Sequence, residues 1–82
     1  MQADSILTIT HVEEIDLSGE ETKLVYKVTI QSIFGKYFVM VYRKHDDGWG
    51  LSVNVVTTLE TFNKEEAERE FKYRCALYRG EV

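Results

Sequence analysis

The chain has 82 residues, 44% hydrophobic and 12% aromatic, with one cysteine, no proline and a formal net charge of −4. Such a length and composition predict a single folded domain over residues 1–82 and argue against disorder, and no apolar run approaches the ~20 residues of a membrane-spanning helix. The negative charge disfavours duplex DNA and anionic membrane as partners, and a lone cysteine excludes an internal disulfide and points to a reducing, cytoplasmic setting.

Met1 to Ser5 carry neither a basic n-region nor an apolar h-region, so no signal peptide is expected. The first predicted strand is roughly Ile6 to Val12, continuing irregularly to Ile15, with a loop at Asp16 to Glu21 around the turn residues Ser18 and Gly19. The second strand, Thr22 to Ser32, alternates cleanly. Leu24, Tyr26, Val28 and Ile30 share one face, and Lys23, Val25, Lys27, Thr29 and Gln31 the other.

The next run, Tyr37 to Tyr42, is apolar on both faces of a strand. Gly35 fits the left-handed third position of a three-residue hairpin loop, Ile33 to Gly35, which pairs Ser32 with Lys36 and Ile30 with Phe38. Asp47 and Gly48 give a two-residue hairpin signal, which pairs Asp46 with Trp49 and Tyr42 with Val53. Counted this way, the core face is Leu24, Tyr26, Val28, Ile30, Phe38, Met40, Tyr42, Leu51, Val53 and Val55, with Leu7, Ile9 and His11 added from the first strand. The opposite face carries Val25, Lys27, Thr29, Gln31, Tyr37, Val39, Val41, Arg43, Ser52, Asn54, Val56 and Thr58.

A helix is predicted from Lys64 to Arg79. Asn63 is the N-cap, Glu66 completes a capping-box pair and Gly80 is the stop. Ala67, Phe71, Cys75 and Tyr78 recur at four- and three-residue steps to make its apolar face, broadened by Leu77. Arg74 lies on that arc and needs either a route past it or a carboxylate. The fold class expected is α+β: a four-stranded antiparallel β-meander with one C-terminal helix packed on one face.

No catalytic, cofactor or metal motif emerges, and a non-enzymatic domain is expected. Asp46 and Asp47 beside His45 suit turn geometry, and the acids Glu13, Glu14, Asp16, Glu20 and Glu21 lack the order of a calcium loop. Cys75 sits at the wrong end of a helix dipole for an activated thiolate. What stands out is an apolar stripe on the uncovered face. This stripe predicts a protein-binding surface of Val25, Lys27, Tyr37, Val39, Val41, Arg43 and Val56. Its partner would be a second copy in a homodimer, or a larger target for which the domain acts as inhibitor or adaptor. The alternative is a single-stranded nucleic acid held by aromatic and basic side chains of that face. The element order is similar to that of PUR repeats and Whirly folds, which bind single strands, a likeness of order alone. On this face assignment Val39→Glu spares the fold and Met40→Glu unfolds it.

Overall fold

The computed structural model describes residues 6–82; the signal-peptide reading of Met1 to Ser5 falls outside them. Four strands, β1 (Thr8–Asp16), β2 (Lys23–Ile33), β3 (Lys36–Asp46) and β4 (Leu51–Thr61), precede one helix, α1 (Lys64–Arg79). The strands form a single antiparallel sheet in the order β1-β2-β3-β4, so each pairs with its sequence neighbour. The expected meander and C-terminal helix are both present.

The helix begins and ends at its expected caps, but only half of the capping box forms, because the Asn63 N–H donates to Thr61 Oγ1 at 3.0 Å rather than to Glu66. The Asn63 side chain accepts a hydrogen bond from the Glu66 N–H at 3.1 Å, and Gly80 closes the last turn at φ 77°. Gly80 N–H donates to Leu77 O and Glu81 N–H to Ala76 O, the pair of bonds that satisfies the orphan carbonyls of a helix end. Ala67 and Cys75 are buried, and Phe71 and Tyr78 pack against the core. Leu77 does not join them and is 36% exposed. Arg74 finds its carboxylate: its Nε donates to Glu70 Oε2 at 2.8 Å.

The β2–β3 register differs from the expected one by a single residue. Ile33 pairs with Lys36, so the loop is Phe34 and Gly35 alone. Both residues have positive φ, 55° and 75°, as a type I′ hairpin turn demands. This one-residue change turns β3 over relative to β2. Ile30 now pairs with Val39 and Val28 with Val41. The core under the helix is Ile15, Val28, Ile30, Val39, Val41, Ala67 and Cys75, with Tyr26, Tyr37, Leu59, Phe71 and Tyr78 packed around it. Phe38, Met40 and Tyr42, expected in the core, stand on the sheet face away from the helix.

The β3–β4 turn is also longer than expected. Asp46 pairs with Leu51 across the four residues Asp47 to Gly50, and Tyr42 meets Val55 rather than Val53. That shift is even, so it preserves the faces: Leu51, Val53 and Val55 stay with Met40 and Tyr42, and all leave the core together. Two bulges complete the differences. One between Ile9 and His11 puts Ile9 on the open face and His11 on the helix side, and one in β4 at Thr58 lets Leu59 pair with Val39.

Phe34 holds a conformation that costs a non-glycine residue about 1–2 kcal/mol, and its ring is 63% exposed. Phe34→Asn, which supplies the favoured Asn-Gly pair, is expected to stabilise the chain by about 0.5–1 kcal/mol. The denaturant midpoint should rise with its slope unchanged; a fall would show that the ring packs usefully.

Candidate functional site: the open face of the sheet

Among the described residues, the helix covers one face of the sheet and no layer covers the other. Of the seven residues predicted to form the protein-binding surface, the register keeps Val25 and Lys27 on the open face and removes five. Val39 and Val41 are buried, Tyr37 packs against the core, and Arg43 and Val56 lie on the helix side, in a groove beside Tyr26 and Tyr78. The physical reason is the two-residue turn at Phe34 and Gly35, which brings Val28 opposite Val41 instead of Met40.

The open face that results is apolar in a different way. Its outer columns are aliphatic and exposed: Ile9 and Val12 on β1, and Leu51, Val53 and Val55 on β4, at 49–58% exposure. Its centre is Phe38, Met40 and Tyr42, half-buried among their own neighbours. Gln31 Nε2 donates to Thr29 Oγ1 at 3.1 Å and to Tyr42 Oη at 2.7 Å. Thr29 and Gln31 are buried, although among the described residues no layer covers them. Lys27 lies 4.8 Å from the Tyr42 ring centre, and Lys36 lies 5.5 Å from that of Phe38 and 5.7 Å from that of Phe62. Lysine stems over aromatic faces keep the charge in water while covering carbon, which fits a surface rather than a core.

Charge on this face is balanced. Alternation from the strand pairing places Lys23, Lys27, Lys36 and Lys44 there together with Glu14, Asp16, Asp46 and Glu60. Glu14 is directly opposite Lys27 and Lys23 opposite Asp46, and Lys36 Nζ lies 3.0 Å from Glu60 Oε2. The negative excess of the chain therefore resides elsewhere.

The other sequence features have local structural roles. Asp47 Oδ1 accepts from the N–H groups of Trp49, at 2.9 Å, and Gly50, at 3.2 Å, and the Trp49 bond leads the effects that hold its carboxyl below the usual value. Asp16 is lowered in the same way by its bonds to Ser18. Both are turn carboxylates, and among the described residues no three metal-ligating side chains come together. His11 stands edge-on to Phe71, with Nε2 3.6 Å from Glu68 Oε2, and Glu13 pairs with Arg79 at 2.6 Å, so these groups tie β1 to the helix. Burial pushes the Cys75 thiol above its ordinary value, the opposite of what a nucleophile needs.

Among the described residues no helix is long and apolar enough to cross a membrane. Comparison with protein-family models, with curated proteins and with solved structures returned no match to this chain.

Proposed function

We propose that the chain is a protein-interaction domain and that the open sheet face is its contact surface. The observation that carries this reading is the exposure of Ile9, Val12, Val53 and Val55 around a centre of Phe38, Met40 and Tyr42, with no second layer above them among the described residues. Burying apolar surface contributes roughly 25 cal/mol per Å², so such a face gains most from a partner that covers it. Apolar columns with interspersed charge of both signs are the composition of a protein contact.

A second reading has its own support. The corrected register gathers Phe38 and Tyr42 on one face with Lys27, Lys36 and Lys44, a combination able to stack bases and track phosphates. Against it, the face has as many acids as lysines, and Lys36 is already paired with Glu60. Phosphate recognition needs a net positive surface, and the charge balance favours a protein partner.

Capture of host proteins on immobilised wild-type chain, compared with Met40→Glu and Val12→Glu chains of unchanged circular dichroism, tests the reading. A partner retained by the wild type and lost by both variants is the expected result. Equal capture by all three chains sinks it. A labelled single-stranded oligonucleotide, followed by anisotropy at low salt, is expected to remain free. Salt-sensitive binding lost in Tyr42→Ala would transfer the face to nucleic acid.

A further inference from the structure

The edge of β4 is a different surface from the open face, and its case does not depend on the reading above. Every residue from Leu51 to Thr57 is exposed. Val53 and Val55 point to the open face, and Val56, 57% exposed, to the helix side. This stretch is thus uncovered on both faces and along its free edge, where a strand presents unpaired N–H and C=O groups. It contains valines and threonines, carries no charge from Leu51 to Leu59 and has no bulge before Thr58.

The opposite edge shows what protection looks like. β1 has a bulge after Ile9 and carries Glu13, Glu14 and Asp16. Bulges and charges are the usual devices that keep an edge from pairing. The molecule guards one edge of its sheet and leaves the other open.

We propose that the β4 edge pairs antiparallel with the β4 edge of a second copy of this chain, making one continuous eight-stranded sheet. The flanking aromatics identify a second copy as the occupant. Trp49 is 96% exposed and Phe62 73% exposed. Trp49 lies six residues before Val55 and Phe62 seven after it, so the strand is bracketed almost symmetrically about its own centre. A two-fold axis normal to the sheet near Val55 brings Trp49 of each copy beside Phe62 of the other, at both ends of the ladder. Val53 then lies opposite Thr57 of the second copy, with faces matched, and no like charges meet along the uncharged stretch.

The area suffices. A nine-residue edge about 30 Å long and 10 Å deep, with two aromatic side chains, covers roughly 600 Å² per copy. The total, about 1,200 Å², clears the ~1,000 Å² expected of a specific interface. The axis also keeps both helices on one side and both open faces on the other, doubling that face.

Sedimentation at tens of micromolar tests the pairing. The wild type is expected at about twice the chain mass of 9.6 kDa. Val56→Lys and Ser52→Lys, both exposed positions on the helix side of β4, are expected to sediment as monomers with unchanged circular dichroism. Met40→Glu, on the open face away from the edge, should remain dimeric. Trp49 emission should shift to the blue as the wild type is concentrated and stay fixed in Val56→Lys. A wild type that is monomeric at several hundred micromolar overturns the proposal. So does a dimer that survives both lysine substitutions, or one lost in Met40→Glu but kept in Val56→Lys, which would move self-association to the open face.

Discussion

Val39→Glu is expected to leave the chain largely unfolded at neutral pH, while Met40→Glu leaves it folded. The two residues are adjacent in β3 and face opposite ways. Val39 has no solvent exposure and sits between Ile30 and Leu59 beneath the helix. An unpaired carboxylate there costs several kcal/mol even after relaxation, and a chain of this size has a total stability of about 4–12 kcal/mol. The introduced carboxyl would also carry a pKa raised in the folded state. The pH-dependent part of its destabilisation is absent below the unfolded value, near 4.3, and grows as pH rises toward the raised value, while the extra volume and the buried carboxyl still cost some stability at every pH. The Val39→Glu chain should therefore regain structure between about pH 5 and 4. Met40 lies on the open face, where a glutamate can reach water beside Lys27, and a loss below about 1 kcal/mol is expected. Urea titrations of both chains, with the Val39→Glu series repeated at acid pH, decide the matter. An unfolded Met40→Glu with an intact Val39→Glu would restore the opposite register.

That reversal shows where the sequence was legible. Element types, their succession along the chain, the positions of both helix caps and the helix face of Ala67, Phe71, Cys75 and Tyr78 all follow from periodicity and capping chemistry, whereas the place of β1 beside β2 does not. The faces of β3 do not, because Tyr37, Val39 and Val41 are as apolar as Phe38, Met40 and Tyr42. Everything then depended on one turn. Gly35 after a bulky Phe34 signals a three-residue loop, since aromatic residues avoid positive φ; the structure accepts that strain at Phe34 and closes in two. The Asp47 turn is longer than its Asp-Gly signal by two residues, an even number, so the β3–β4 faces are the same in either register. One signal pointed the right way. Tyr42, Lys27 and Gln31 have polar tips that serve one another on a wet face, whereas Val28, Ile30, Val39 and Val41 are compact and wholly apolar, suited to lie beneath a helix.

The second large effect is expected at the far end of that helix. Tyr78 stacks on Tyr26 with ring centres 4.1 Å apart and planes within 8°. A 16-residue helix is marginal in water, so α1 owes its stability to its contacts with the sheet. Cutting a half-buried tyrosine to alanine removes its packing and the stack, together about 2–3 kcal/mol. In a domain of this length each kcal/mol lowers the melting temperature by about 4–8 °C, so Tyr78→Ala should melt roughly 10–20 °C below the wild type. Tyr78→Phe, which keeps the ring, should recover most of that difference. The consequence reaches beyond stability. With the helix loosened, Ile15, Val28 and Val41 expose a second apolar face opposite the first, and the β4 edge is left free whenever the paired copies separate on heating. A sheet apolar on both faces with one free edge is prone to edge-to-edge aggregation. Tyr78→Ala should therefore bind a hydrophobic dye and scatter light on heating at temperatures where the wild type stays clear, and adding Val56→Lys should suppress the scattering without raising the melting temperature. A Tyr78→Ala chain melting within a few degrees of the wild type would assign the clamp to Ala67 and Phe71 instead.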